Sequence, residues 1–239
     1  MKAVVLLSGG LDSCVSATLA RDRCEDLFAL SFIYGQKHER EINSAKRIGK
    51  YLGVKEHKFV TVQSDLFRTS SLVDKNLEIE ERDVDEIGRN IPSTYVPARN
   101  TIFLSYALAF AESRDADFIY IGVNALDYSG YPDCRPEYIE AFQRVADLGT
   151  RRGVEGKGIK IEAPLIHMGK KEIIELGIKI RAPLHLTWSC YRGGKKACGR
   201  CDSCLLRLKG FLEAGYRDPL DYETYPEWYK PKELKTIDF

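Results

Sequence analysis

Apolar and polar positions along this chain switch between two periods. Ala3-Val4-Val5-Leu6-Leu7 is an unbroken apolar run that empties into Ser8-Gly9-Gly10-Leu11-Asp12-Ser13, predicting a buried strand, a tight turn and a helix from near Leu11. Leu27 to Tyr34 is a second such run, with turn chemistry at Gly35. Ile42, Ala45, Ile48 and Leu52 then recur at three to four residues, the stripe of a helix whose outer face carries Lys37, Arg40, Lys46, Arg47 and Lys50. Further strands are expected at His57 to Val62, at Phe118 to Val123 and at Ile159 to Leu165. Helices are expected at Arg135 to Gly149 and at Lys170 to Ile180, the last stopping before Pro183. Ile102 to Ala111 is apolar nearly all round, the pattern of a helix buried between neighbours. Residues 64–94 break the periodicity, with a strongly acidic stretch from Glu78 to Glu86. They predict a long excursion that either closes over a site or stands as a solvated insertion.

Strands alternating with helices imply an α/β fold, a doubly wound parallel sheet covered on both faces. In such sheets ligands sit beyond the carboxyl ends of the strands, where strand order reverses. The loops starting at Ser8, Tyr34, Asn124 and Leu165 should therefore converge on one crevice. No internal repeat or low-complexity segment interrupts the pattern. Two units are expected, a nucleotide-binding α/β domain over 1–183 and a small cysteine-bearing lobe with a tail over 184–239.

The turn after the first strand carries the first candidate chemistry. Two glycines let a backbone approach phosphate oxygens closely, Ser8 and Ser13 offer hydroxyls, and the helix aims its free N–H groups at the same point. No lysine lies between Ser8 and Ser16, so this is not a Walker loop, and adjacent glycines followed by an acid do not make the dinucleotide fingerprint. An acidic residue beside phosphates suits a metal-bound polyphosphate. A plain tight turn is the alternative.

Composition narrows the partners. Thirty-six basic and 35 acidic residues leave a formal charge of +1 over 239 residues, too little to draw the whole protein onto a nucleic-acid backbone or an anionic membrane. The run before Ser8 is too brief for a signal-peptide core or a membrane span, and a cytoplasmic protein is expected. Four of the seven cysteines, Cys190, Cys198, Cys201 and Cys204, crowd into one glycine-containing stretch. That spacing points to a metal, with one structural zinc ion per chain as first choice; iron–sulfur ligation and unconnected reduced thiols are the alternatives. Arg192, Lys195, Lys196 and Arg200 give this lobe local positive charge, the mark of a possible nucleic-acid module that the near-neutral total makes secondary. His38, His57, His167 and His185 show no metal-pair spacing and are expected to be structural. Cys14 has no visible base beside it. Tyr222 to Tyr229 is an aromatic, proline-containing run that docks either on the body or on a second subunit.

Ser-Gly-Gly-Leu-Asp-Ser at 8–13, Tyr-Gly-Gln-Lys-His at 34–38, Val-Pro-Ala-Arg-Asn at 96–100, Asp-Tyr-Ser-Gly-Tyr-Pro-Asp-Cys-Arg at 127–135 and the four cysteines together form a recognisable set. From about Val4 to about Pro219 the chain resembles the 7-cyano-7-deazaguanine synthase family, the queuosine-pathway branch of the PP-loop ATP pyrophosphatases, with their adenine nucleotide alpha-hydrolase-like fold. The resemblance implies an ATP-dependent carbon–nitrogen ligase that converts 7-carboxy-7-deazaguanine and ammonia to the nitrile through adenylated acid and amide intermediates. It implies Mg2+ with ATP, a structural Zn2+, a homodimer, no membrane and no required nucleic acid. The product would enter queuosine or archaeosine synthesis. The nearest alternative is a tRNA-modifying PP-loop enzyme that adenylates a base; a non-catalytic nucleotide sensor would leave Asp127 to Arg135 without a task.

Roles follow from the resemblance residue by residue. Leu7, Ser8, Gly9, Gly10, Leu11, Asp12, Ser13 and Cys14 would surround the phosphates, with Asp12 near the magnesium, and backbone groups around Phe32 and Tyr34 would hold adenine. Arg99, Asn100 and Lys170 are candidate phosphate contacts, and Asp12, Ser13 and Lys170 the catalytic candidates. Asn124, Asp127, Tyr128, Ser129, Tyr131, Asp133 and Arg135 would recognise the deazapurine, since a flat base needs a stacking face with donors and acceptors at its edge and a carboxylate needs a cation. Trp188 is a second stacking wall or a core residue. For Asn124 to Arg135 the alternative is a tyrosine-rich surface loop.

Overall fold

The structure, a computed structural model, describes residues 1–36, 39–74, 76–84, 86–87, 90–126 and 131–239. The chain runs β1 (Lys2–Leu6), α1 (Leu11–Arg23), β2 (Asp26–Ile33), α2 (Arg40–Tyr51), β3 (Glu56–Thr61), α3 (Arg99–Ser113), β4 (Phe118–Tyr120), α4 (Pro136–Gly149), α5 (Arg151–Val154), β5 (Lys160–Glu162), α6 (Lys170–Lys179) and α7 (Asp202–Glu213). The sheet order is β3-β2-β1-β4-β5 and every pairing is parallel. From β1 the chain walks outward through β2 to β3, then returns to build β4 and β5 on the other side. The order therefore reverses between β1 and β4, which is where a parallel sheet opens a crevice.

The unbroken apolar runs have a simple cause. Ala3, Val5 and Leu7 face one apolar cluster and Val4 and Leu6 the other, so the period-two alternation of a strand is spent on two buried faces. The first cluster takes in α1, α6 and α7, and continues through Tyr222 and Tyr229; the second takes in α3 and α4.

Several boundaries differ from the sequence-based expectation. β4 and β5 pair over three residues each, shorter than the apolar runs that predicted them. Beyond β4 the chain bends under α1 instead. A Cβ on Gly122 would lie 2.8 Å from the Asp12 carbonyl and the Ser13 Cα, so only glycine allows this crossing. The helix expected to be buried all round, α3, shows Ser105, Tyr106 and Ala109 to solvent, because among the described residues it forms an outer layer with nothing packed over that face. α7 was hidden in the cysteine stretch: Cys201 is its N-cap residue and Cys204 lies in its first turn.

The excursion over 64–94 has, among the described residues, only a short 3-10 turn at Ser64–Phe67. It is nonetheless anchored. Phe67, Leu72, Val73 and Ile79 are buried, Arg192 bonds Glu81 at 2.7 Å, and Arg82 pairs with Asp202. The aromatic tail docks on the body of its own chain, with Asp218 as the hinge. Its carboxylate accepts from Tyr222 Oη at 2.6 Å and from Arg207 Nε and Nη2 at 2.7 and 2.9 Å, while its N–H donates to Tyr229 Oη at 2.9 Å.

Arg207 and Asp218 are 2% and 1% exposed, so either charge left alone would stand unpaired in the interior. Arg207→Ala is expected to cost about 3–5 kcal/mol, read as a lower urea midpoint. An unchanged midpoint would contradict this role.

Candidate active site

The turn after β1 is shaped by what presses on it. Gly9 has φ +95°, and a Cβ there would meet the Glu41 carbonyl oxygen at 2.1 Å and the Ala45 nitrogen at 2.8 Å, so glycine is what lets α2 lie against the loop. From the other side Trp188 N–H donates to Gly9 O at 2.9 Å. Ser8 Oγ donates to Ser13 Oγ and Ser13 Oγ to Gly10 O, each at 3.0 Å. α1 starts after Gly10 with no side chain capping it. The first-turn N–H groups of α1 thus open toward the crevice, the arrangement that binds anions.

At this N terminus sits the one acidic residue of the loop. Lys170 Nζ donates to both Asp12 oxygens, at 2.7 and 2.8 Å, and Asn124 Nδ2 to Oδ2 at 3.0 Å. Lys170 comes from the start of α6 and Asn124 from the loop after β4, so three segments meet at one carboxylate. Three of its roughly four acceptor sites are taken, leaving one on Oδ1 for a hard cation.

The crevice between these segments is walled by Ser8, Gly10, Asp12 and Ser13 at the end formed by the turn and by Phe32, Tyr34 and Phe103 at the apolar end. Phe32 and Phe103 stack with centroids 3.8 Å apart. Arg99, Asn100, Asn124, Tyr131, Lys170 and Trp188 also line it, as do Leu7 and Leu11. Gly9 lies behind the wall, under α2. Cys14 faces the core, where burial pushes its thiol up to about 12, too high for a nucleophile at neutral pH.

The substrate candidates divide. Tyr131 is buried in the cavity wall, its hydroxyl 3.0 Å from Thr94 Oγ1. Asp133 is buried too, but it accepts from the Asn100 N–H at 3.0 Å and so caps α3, while the Asn100 amide donates to Asp133 O and to Cys134 Sγ. Trp188 is in the wall with Arg40 over its ring at 4.6 Å and Nε1 donating to Cys190 O. Arg135 is exposed at the start of α4, away from the wall. Asp127, Tyr128, Ser129 and His38 lie outside the described residues. His57 holds Ser31, His185 packs on the Phe239 ring, and His167 is exposed.

Two charged cavity residues went unmarked in the sequence. Arg207 reaches the wall from α7, donating to Thr187 Oγ1 and Ser189 Oγ on the segment that carries Trp188. A charge inside Leu205-Leu206-Arg207-Leu208 was the available signal. Glu41, in the first turn of α2, has a carboxylate with no hydrogen-bond or ion-pair partner among the described residues; burial raises its pKa to about 7, against the opposing pull of Arg99.

The four cysteines fit a metal ion. Their sulfurs lie within 4.8 Å of one another, all buried, with Cys198 and Cys204 Sγ 3.9 Å apart. A tetrahedron with metal–sulfur bonds of about 2.3 Å needs sulfurs about 3.8 Å apart. Backbone N–H groups of Arg192 and Cys198 point at Cys190 Sγ, and those of Arg200 and Cys201 at Cys198 Sγ, at 3.3–3.4 Å, as thiolate ligands require. Among the described residues no helix is long and apolar enough to cross a membrane.

A doubly wound parallel sheet with a Ser-Gly-Gly-Leu-Asp-Ser turn at its reversal point defines a PP-loop nucleotide-binding protein. The sequence model of the family described as queuosine biosynthesis protein QueC matches residues 2–215, and the chain belongs to that family. It is 54% identical to the 7-cyano-7-deazaguanine synthase of Thermoplasma acidophilum over 229 residues, covering 96% of this chain and 95% of that protein. The Trichodesmium erythraeum protein of the same name is 57% identical over 222 residues, covering 92% of this chain and all (100%) of its own. Among solved structures, the NMN synthetase of Francisella tularensis overlays with a TM-score of 0.48 at 17% identity, covering 88% of this chain and 75% of that one, a likeness too distant to argue from.

A carboxyl that titrates higher folded than unfolded makes the fold bind the extra proton. Stability from Glu41 is therefore fully present below about 4.5 and lost as pH rises through about 7. The melting temperature of Glu41→Gln should accordingly fall less than the wild type's across that window; parallel profiles would contradict the assignment.

Proposed function

We propose that the chain is a 7-cyano-7-deazaguanine synthase, joining ammonia to 7-carboxy-7-deazaguanine at the expense of ATP and then dehydrating the amide to the nitrile. The observation that carries the reading is the uncapped Ser8–Ser13 turn meeting the Asp12, Lys170 and Asn124 cluster in one crevice. Relatives of that name at more than half identity across nearly the full chain support it.

The chemistry asks for activation twice. A carboxylate is a poor electrophile, so its oxygen attacks the α-phosphorus of ATP, pyrophosphate leaves, and ammonia displaces AMP from the acyl adenylate. The amide oxygen then repeats the attack on a second ATP, and loss of AMP with a proton leaves the nitrile. One crevice serves both rounds because acid and amide differ by one small group. The turn's N–H groups and the Lys170 ammonium stabilise charge developing on departing pyrophosphate. Phe32 and Tyr34 hold the adenine end, and Arg99 and Asn100 stand at the cavity-facing start of α3. Asn124 and Tyr131, with Asp127, Tyr128 and Ser129, are the deazapurine readers of this reading, Trp188 a wall; Arg135, exposed and off the wall, is left out of it.

Asp12, with its remaining lone pair, would hold the Mg2+ that comes with ATP, which would supply neutralisation of phosphate charge. Zn2+ is the metal we assign to Cys190, Cys198, Cys201 and Cys204; a four-thiolate shell leaves no open position, so its role is to hold the lobe. A reduced thiol centre suits the cytoplasm. Exposed Val145, Leu148 and Val154 on α4 and α5 support a homodimer, and a near-neutral chain supports a reaction on free substrates without nucleic acid.

Incubation with ATP, ammonium and the carboxy-deazaguanine should yield the nitrile, seen by mass spectrometry; no turnover would end this reading. Asp12→Asn should lose at least about 10²-fold in turnover while keeping its circular dichroism spectrum, and normal activity would remove Asp12 from the mechanism. Cys201→Ser should lose bound zinc by elemental analysis and melt lower, since such centres contribute about 10–16 kcal/mol; a metal-free variant of full stability would refute the structural role.

A further inference from the structure

β1 and β2 pair as far as Leu6 opposite Leu30, with Leu7 N–H donating to Leu30 O. There β1 turns away into the Ser8 loop. In a parallel ladder every second residue of β2 points both its peptide groups toward β1. The next groups on that edge, Phe32 C=O and Tyr34 N–H, are therefore left an acceptor and a donor with no strand beside them. Gln36 fills the gap. The turn at Gly35, φ +89°, folds its side chain back, so that Nε2 donates to Phe32 O at 2.9 Å and Oε1 accepts from Tyr34 N–H at 2.8 Å. The carboxamide itself lines the crevice.

A primary amide presents a donor beside an acceptor on one planar group. Adenine presents the same pair, its exocyclic amino group beside a ring nitrogen. We propose that Gln36 is a built-in stand-in for the adenine edge: it holds this backbone pair when nucleotide is absent and is displaced when ATP enters, so that it sets ATP's apparent affinity. This rests on the reading that adenine binds at Phe32 and Tyr34. The side chain needs only rotation about its own bonds to leave, and it is half-buried rather than locked in the core. Its two bonds make the binding-competent state a minority, and apparent affinity is reduced by that fraction.

Gln36→Leu keeps the bulk and removes both bonds; Gln36→Ala removes bulk as well. By isothermal titration, ATP should bind each variant about three- to tenfold tighter than wild type, while inorganic tripolyphosphate, which lacks the base, binds all three alike. Unchanged or weaker ATP binding in both variants, or an equal gain for tripolyphosphate, overturns the proposal. N6,N6-dimethyl-ATP, which cannot donate to Phe32 O, separates the underlying reading. Wild-type protein should bind it more weakly than ATP, and equal binding would place adenine elsewhere, whatever the Gln36 variants do.

Discussion

The Asp12 carboxylate is the point at which the architecture closes. It belongs to α1, and it is held by a lysine from α6 and an asparagine from the loop after β4. Lys170 is 9% and Asp12 15% exposed, so each charge has given up much of its water and needs the other. Buried pairs of this kind add little net stability, because desolvation offsets most of the attraction. What the pair does supply is position: with both oxygens engaged, the acid at the phosphate turn has one orientation, and the α1 N terminus is fixed against both neighbouring segments.

The cysteine-bearing segment reaches this point by two routes. A Cβ on Gly210 would lie 2.5 Å from Lys170 Cγ, so α7 grips the stem of the lysine where only glycine fits. On the other route Trp188 bonds Gly9 O through its backbone and Cys190 O through its ring, with Arg207 holding Thr187 and Ser189 on either side. A metal shell that tightens Cys190 against Cys201 and Cys204 thereby braces both the phosphate turn and the lysine behind Asp12. The cysteine-bearing segment thus contributes Trp188, Ser189, Ser203 and Arg207 to the crevice wall.

The sheet was legible because its strands are apolar on both faces, and the crevice because two adjacent glycines and an acid follow the first of them. That the turn at residues 8–13 lines the crevice was readable for the same reason, from two glycines, two hydroxyls and an acid in six positions. Arg207 and Glu41 were not readable. Their importance comes from neighbours on other segments, such as Thr187, 20 residues before Arg207, and Arg99, 58 residues after Glu41, and no local period encodes that. α7 was missed because cysteines and glycines masked its stripe of Leu205, Leu208 and Phe211. Asp133 shows a role that the sequence did not suggest. A loop acid beside tyrosines suggests ligand contact, and the structure gives it a capping contact with the Asn100 N–H of α3 as well.

Site and chemistry meet at one claim, that this crevice turns a carboxylate oxygen into a phosphate ester oxygen of AMP before nitrogen arrives. The most direct measurement follows that atom. With 7-carboxy-7-deazaguanine carrying 18O in both carboxyl oxygens, the AMP released during amide formation should contain one 18O. Unlabelled AMP, with the isotope in inorganic phosphate or water, would contradict attack at the α-phosphorus and with it the account given for the Ser8–Ser13 turn.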